Sequence, residues 1–147
     1  MEYQVLIVED DGKIYKMLQE ELESDYKLIR VRAVDEAIGA YRFMKKKGLS
    51  FDCFIIDLAL IASGLTDQEM DDYENKEGFA FLKKIWKEHP EDEEYVRART
   101  IICSRYISKL QTEHLEDELK YLSLISKEDK EFERKVTEAV NKIVKGL

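Results

Sequence analysis

Several short apolar runs in this sequence end in residues that carry a charge or a hydroxyl group. The residues at these ends are Glu9, Asp10 and Asp11, then Asp57, Ser104 and Lys127. Carboxylates brought close together repel, and one of them takes up a proton unless a cation intervenes. Oxygen ligands of this kind favour Mg²⁺, which keeps waters and phosphate oxygens among its other ligands. An aspartate held ionised in such a site can attack phosphorus, so the residue types predict phosphoryl chemistry.

Asp57 is the candidate nucleophile, because it follows directly on the apolar run CFII, where a carboxylate without a partner would be costly. Lys127 can neutralise the charge of a phosphoryl group in transfer, and the Ser104 hydroxyl can donate a hydrogen bond to it. Two simpler interpretations stay open. Asp10 and Asp11 suit the start of the first helix as capping residues, and Lys127 can be a surface lysine that pairs with Asp10 alone.

These residues can meet only if the elements that carry them share one sheet. Five apolar runs are typical of strands, and they alternate with segments of helical periodicity. The predicted strands are YQVLIV at 3–8, KLIRVRA at 27–33, FDCFIID at 51–57, ARTIICS at 98–104 and YLSLIS at 121–126. The predicted helices span 12–24, 35–48, 78–89, 110–119 and 132–147.

Near-continuous apolar strands alternating with helices are typical of a parallel sheet that is covered on both faces. Right-handed crossovers then give a doubly wound α/β sandwich. In such folds ligands bind beyond the carboxyl ends of the strands, which is the edge where the charged residues would meet. The second strand is more polar than the others, so it is expected at the edge of the sheet.

The runs VLIVEDD, FIIDLAL, TIICS and LISK resemble, in this order, the four signature strands of a response-regulator receiver domain. The helix GFAFLKKI is similar to the third helix of that family. The resemblance implies a (βα)5 fold of the flavodoxin-like type, with a five-stranded parallel sheet in the order 2-1-3-4-5. It further implies a single receiver domain over 1–147, with an insertion at about 60–77 and no output domain.

The resemblance also implies roles for individual residues. Asp57 would be the phosphoacceptor. Asp10 and Asp57 would bind Mg²⁺ directly, with the backbone carbonyl of Ala59 as a third protein ligand, and Glu9 would assist through water. Lys127 would pair with the phosphoryl group.

Ser104 would be the switch hydroxyl in the same comparison. The phosphodonor would be a phosphohistidine on a sensor histidine kinase or a phosphotransfer protein. Phosphorylation would change the surface formed by the fourth helix, fifth strand and fifth helix, for a downstream protein target or a homodimer. Catalysis would be limited to self-phosphorylation and slow autodephosphorylation, so a conventional enzyme is not expected.

Three single residues depart from the family pattern. Glu128 stands where the family has proline after the lysine, and Leu124 stands where an aromatic switch residue is common. Arg105 follows the switch hydroxyl, at a position that is usually small. These departures favour an alternative function, a receiver-like adaptor that binds protein partners without a phosphorylation cycle.

The fourth departure is the long acidic segment that separates Asp57 from the helix beginning near Gly78. Thr66 and Glu69 fit a capping box, so a short extra helix is expected there. Long loops inside compact domains are often functional. We expect this one to form a lid or a partner contact.

Composition restricts the partners and the compartment. The net charge of −8 would repel duplex nucleic acid, no run is long enough to span a membrane, and the N-terminus lacks an export signal. We therefore expect a cytoplasmic protein with no direct nucleic-acid or membrane partner. Cys53 and Cys103 lie in apolar runs and are expected as buried free thiols. Cys103 is expected level with Ile56, too far from Cys53 to form a disulfide.

Two other classes with aspartate or phosphate chemistry fit poorly. A haloacid-dehalogenase-like phosphatase places a second aspartate two residues after the nucleophile, where this chain has Ala59. A flavodoxin-like FMN protein needs a hydroxyl- and glycine-rich loop after the first strand, whereas EDDGK offers carboxylates that repel phosphate. His89 and His114 have no partner at ligand spacing, so no histidine metal site is predicted.

Overall fold

The structure is a computed structural model, and it describes residues 2–105, 107, 118 and 121–146. Strands and helices alternate along this part of the chain. The strands are β1 (Gln4–Val8), β2 (Lys27–Val31), β3 (Cys53–Asp57), β4 (Thr100–Ser104) and β5 (Ser123–Ser126). The helices are α1 (Gly12–Leu22), α2 (Val34–Lys46), α3 (Asp67–Asp72), α4 (Glu77–Glu88), α5 (Glu93–Ala98) and α6 (Phe132–Lys145), with a 3₁₀ turn at Pro90–Asp92.

The five strands form one parallel sheet in the order β2-β1-β3-β4-β5. This confirms the doubly wound α/β fold and the strand order 2-1-3-4-5. β3 and β4 are buried along their whole length, since they lie inside the sheet with helices on both faces. β2 is exposed or half-buried throughout, as expected of an edge strand. The carboxyl ends of all five strands therefore share one edge.

Helices cover both faces of the sheet because alternate strand residues point to opposite sides. Leu6 and Ile56 pack on the face covered by α2 and α4. Ile7 and Ile55 pack on the other face, against α1 and α6. The last helix, α6, buries Phe132, Val136 and Val140 on that face. No helix in the described ranges combines the length and the apolar character needed to cross a membrane.

The structure corrects two details between α4 and the end of β4. A 3₁₀ turn that begins at Pro90 and the helix α5 lie between α4 and β4, where no element is predicted. Val96 buries its side chain, which holds this segment on the core. Cys103 lies level with Asp57, so the predicted pairing with Ile56 is wrong by one residue. Both cysteines are buried free thiols, as predicted. The predicted helix at 110–119 lies outside the described residues, apart from position 118.

The segment that follows β3 is folded against the start of α2. Ala33 and Ile61 form an isolated parallel bridge. The N–H of Val34 donates to the carbonyl of Ile61 at 3.1 Å, and the N–H of Asp35 donates to the carbonyl of Ser63 at 2.9 Å. No side chain caps α2, so these loop carbonyls satisfy the first N–H groups of that helix.

The short extra helix predicted in this segment is present as α3. Thr66 and Glu69 form the predicted capping box at its N-terminus. Glu69 also pairs with Lys84 of α4, with 2.9 Å between Oε2 and Nζ. The insertion is therefore attached to two neighbouring helices, α2 and α4.

Gly78 lies where α4 begins against the end of β3. Its N–H donates to the carbonyl of Leu58 at 2.8 Å. A Cβ atom at this position would lie 2.5 Å from the backbone oxygen of Asp57 and 2.9 Å from Cγ2 of Ile56. Contacts this short would force the helix away from the strand, so glycine permits the close approach.

We expect Gly78→Ala to lower the free energy of unfolding by about 1–3 kcal/mol, because the added methyl group overpacks this contact. Gly39 in α2 is the matched control, since a Cβ there meets nothing within 4 Å. Gly39→Ala should raise the free energy of unfolding by about 0.5–1 kcal/mol, because alanine is the better helix former. Urea denaturation measures both changes, and a stabilising effect of Gly78→Ala would contradict the close approach.

Candidate functional site

The carboxyl edge of the sheet brings together the residues that the sequence singles out. Glu9 follows β1, Asp57 ends β3, Ser104 ends β4 and Lys127 follows β5. A cavity of about 340 Å³ opens at this edge. Its lining consists of Asp10, Asp11, Asp57, Ala59, Ser104, Arg105 and Lys127. Ala59 of the long segment after β3 contributes to this lining, whereas Ile61 and Ser63 further along hydrogen-bond to the start of α2.

Lys127 links the ends of β1 and β3 through two ion pairs. Its Nζ lies 2.7 Å from Oε1 of Glu9 and 3.0 Å from Oδ2 of Asp57. The side chains of Lys127, Glu9 and Asp57 are only 6%, 3% and 7% exposed. Buried charges of this kind depend on one another, since removing one partner leaves the other unpaired in the protein interior. The alternative in which Lys127 pairs with Asp10 alone is wrong.

The three buried groups shift one another's pKa. Burial raises the pKa of Glu9 to about 7, the charge of Asp57 adds to the rise, and Lys127 opposes it. Burial likewise raises the pKa of Asp57 against the opposing effect of Lys127. Burial alone would lower the pKa of Lys127, but the two carboxylates outweigh it, so the pKa of Lys127 is raised. The lysine therefore stays cationic, and the pKa of Glu9 lies near neutral pH.

The two aspartates after Glu9 have different surroundings. Asp11 is the N-cap of α1, and its Oδ1 accepts the N–H of Lys13 at 2.8 Å. That hydrogen bond is the main cause of the lowered pKa of Asp11. Asp10 is exposed, and it offers a carboxylate oxygen within 4.8 Å of those of Glu9 and Asp57. The capping interpretation therefore holds for Asp11, whereas Asp10 belongs to the acidic cluster.

The acidic cluster of Glu9, Asp10 and Asp57 has the oxygen donors that Mg²⁺ prefers. Ala59 lies on the cavity wall beside it, where a backbone carbonyl is a suitable further ligand. Both oxygens of Glu9 already have partners. Oε1 pairs with Lys127, and Oε2 accepts a main-chain N–H at 3.1 Å. The residues present fit a Mg²⁺ ion that the two aspartates bind directly. Glu9 would then act indirectly, because both of its oxygens already have partners.

A second group of possible ligands lies at the opposite end of the sheet, where the sequence predicts no site. His89, Glu91 and Asp92 each offer a ligand atom within 4.8 Å of the others. Asp92, however, already accepts the hydroxyl of Tyr41 and pairs with Lys45 at 2.9 Å. Because an ammonium group already balances this carboxylate, we assign the group to fold stability.

A buried carboxylate that the sequence does not single out lies at the start of α4. Glu77 is 8% exposed. It accepts the main-chain N–H groups of Leu60 at 3.1 Å and Asn75 at 2.9 Å. In the sequence, Glu77 is only an acidic residue at the start of a helix. Such residues are common there, so the pattern does not indicate that this one is buried.

No protein-family model and no curated protein matches the sequence. Solved structures do match along the whole chain. The signal receiver domain of an HD domain-containing protein from Pseudomonas fluorescens Pf-5 is 15% identical, with a TM-score of 0.65 over 99% of this chain and 97% of that chain. A response regulator receiver domain protein from Clostridium thermocellum is 16% identical, with a TM-score of 0.63 over 98% of this chain and 95% of that chain. This chain has the receiver fold.

A phosphorylated cyanobacterial phytochrome response regulator, RcpA, is also similar to this chain. It is 17% identical, with a TM-score of 0.64 over 98% of this chain and 94% of that chain. At such low identity the similarity concerns the receiver fold. The roles of individual residues depend instead on the geometry at the carboxyl edge.

The structure shows the surroundings of the three residues that depart from the family pattern, Glu128, Leu124 and Arg105. The N–H of Glu128 donates to Oγ of Ser126 at 3.2 Å, so a hydrogen-bonded turn follows β5 without a proline. Leu124 is half-buried and packs against the core on the α2 and α4 side. Arg105 is exposed and lines the cavity. The departures therefore leave the cavity open but place a large cationic side chain on its wall.

In metal-free buffer, we expect the free energy of unfolding to decline as the pH rises from about 5 to about 8. The pKa of Glu9 is about 7 in the folded protein, against an ordinary value of 4.5. The folded state therefore holds this proton more tightly, and its stabilising effect is full below the unfolded pKa and lost as the pH rises through the folded one.

Glu9→Gln should flatten this decline, because an amide does not ionise in this range. Urea midpoints measured across the range in the presence of a chelator give the comparison. Equal slopes for the wild type and Glu9→Gln would show that Glu9 is not the group that titrates.

Proposed function

We propose that this chain is the phosphoacceptor receiver module of a two-component or phosphorelay system, with Asp57 as the phosphoacceptor. One observation carries the proposal. The ammonium of Lys127 lies 3.0 Å from Oδ2 of Asp57, at the open carboxyl edge and beside an acidic cluster that fits Mg²⁺. The receiver fold of the whole chain supports a phosphoacceptor function in general.

In the proposed reaction, a carboxylate oxygen of Asp57 attacks the phosphorus of a phosphohistidine. A P–O bond to Asp57 forms, the P–N bond breaks, and the imidazole leaves with the electron pair. Lys127 neutralises negative charge on the phosphoryl oxygens, and the Ser104 hydroxyl donates to one of them. Asp57 must be ionised to attack, and the charge of Lys127 favours that form against the effect of burial.

Mg²⁺ is the proposed cofactor. Asp10, Asp57 and the carbonyl of Ala59 would hold it, and Glu9 would act through water. When bound, the ion supplies positive charge for the phosphoryl oxygens and favours the ionised form of the neighbouring carboxylates. Arg105 lines the same cavity and adds a cationic side chain to the wall that a phosphodonor would meet.

The proposed partners are a sensor histidine kinase or phosphotransfer protein as donor and a downstream protein as target, with a homodimer as a further arrangement. The surface around β5 and α6 would report the phosphorylated state. The net charge of −8 argues against direct nucleic-acid binding. The proposed location is the cytoplasm.

The second candidate function is a receiver-like adaptor that binds protein partners without a phosphorylation cycle. It is favoured by Leu124, which packs into the core where an aromatic switch residue is common. Arg105 and Glu128 are its further support. Phosphorylation of Asp57 is the observation that separates the two functions.

We expect incubation with Mg²⁺ and acetyl phosphate to add the mass of one phosphoryl group to the intact protein. Asp57→Asn should remove the adduct entirely, since an amide is not a nucleophile towards phosphorus. Asp71→Asn, on the exposed face of α3, is the matched control and should keep the adduct. Removing Mg²⁺ with a chelator should slow the reaction strongly.

Intact-mass spectrometry over a time course measures all four samples. No adduct on the wild type would favour the adaptor function. An equal adduct on Asp57→Asn would place the phosphoryl group elsewhere and overturn the assignment of Asp57.

A further inference from the structure

We infer that Glu77 is a positioning residue for the Mg²⁺ site, because it fixes the direction of the Ala59 carbonyl through the N–H of Leu60. This inference rests on the proposed function. It assigns a role to a residue outside the cavity wall, and it makes the long segment after β3 part of the metal site.

The peptide unit between Ala59 and Leu60 carries the argument. A trans peptide is planar, and its C=O and N–H groups point in opposite directions. Glu77 holds the N–H side of this unit, with 3.1 Å between the Leu60 nitrogen and Oε1. Holding the N–H of Leu60 therefore also sets the direction of the Ala59 carbonyl.

Glu77 is well placed to hold this peptide firmly. Its other oxygen accepts the N–H of Asn75 at 2.9 Å, so one carboxylate joins the beginning and the end of the segment. Next to it, the N–H of Gly78 donates to the carbonyl of Leu58 at 2.8 Å. The carboxylate is buried, and in that position each unmatched main-chain N–H would be costly. A carboxylate can accept both N–H groups at once.

The anchored peptide lies between two buried side chains. Leu58 and Leu60 are both buried, while Ala59 between them is half-buried and lines the cavity. The leucine side chains keep the segment on the core, and Glu77 fixes the rotation of the peptide between them. Groups that orient metal ligands in this way typically contribute a factor of about 10–100 in metal affinity.

The test compares the Mg²⁺ affinity of the wild type, Glu77→Gln, Glu77→Ala and Glu69→Gln by isothermal titration calorimetry. A glutamine side chain has one acceptor oxygen, so Glu77→Gln leaves either Leu60 or Asn75 without its bond. We expect its dissociation constant for Mg²⁺ to rise about tenfold. Glu69 is the matched control, since it also accepts a main-chain N–H in this segment, that of Thr66 at 2.9 Å.

Glu69→Gln should bind Mg²⁺ as the wild type does, because Glu69 contacts Thr66 and Lys84 rather than the Ala59–Leu60 peptide. Thermal unfolding of all three variants measures their loss of stability separately from metal affinity. At saturating Mg²⁺, the phosphorylation rate of Glu77→Gln should return to that of the wild type, whereas Asp57→Asn should stay inactive.

Each outcome decides a different question. Unchanged Mg²⁺ affinity in both Glu77→Gln and Glu77→Ala, which removes both acceptor oxygens, would overturn the positioning role alone if the wild type binds normally. An equal loss in Glu77→Gln and Glu69→Gln would overturn it as well, because the loss would then follow general destabilisation. No Mg²⁺ binding by the wild type would overturn the proposed function, and this inference with it.

Discussion

Lys127 places an ammonium group between two buried carboxylates, and the arrangement of the sheet decides whether it can reach them. Lys127 follows β5, whereas Asp57 ends β3, two strand positions or about 10 Å away. The lysine stem must therefore pass over the end of β4, where Ser104 offers a small side chain. Glu9, one strand further still, meets the ammonium with a side chain longer than that of aspartate. The parallel register of four strands is therefore needed for these two contacts of Lys127, both of about hydrogen-bond length.

Among the residues that the structure describes, the acidic cluster carries more negative charge than its ion pair balances. Glu9, Asp10 and Asp57 can contribute three negative charges against the one positive charge of Lys127, which pairs with Glu9 and Asp57. A divalent cation can supply both missing positive charges, whereas a proton on Glu9 supplies one of them. Without metal, the raised pKa of Glu9 therefore offsets part of the negative charge that Mg²⁺ is proposed to balance. The ion pair with Lys127 is what allows the carboxylate of Asp57 to end an apolar strand.

The sequence predicts the strands well, because apolar runs are local signals, whereas their order in the sheet is implied by the resemblance to receiver domains. It also predicts the capping box at Thr66, which depends on two residues three positions apart. It misses α5, whose pattern is short and whose one buried side chain, Val96, is set by tertiary packing. It misplaces Cys103 by one residue, since register depends on the connection before β4. The role of Glu77 depends on a loop returning to a helix start, which no local pattern encodes.

The cap of α2 has a consequence for chimaeras built between this chain and other receiver folds. The first N–H groups of α2 are satisfied by the carbonyls of Ile61 and Ser63, and Ala33 supplies no side-chain cap. The start of α2 therefore depends on the segment after β3, although Ile61 and Asp35 lie 26 positions apart in the sequence. A graft that exchanges either part alone would leave α2 with an unsatisfied terminus, unless the recipient carries serine, threonine or aspartate at the cap position.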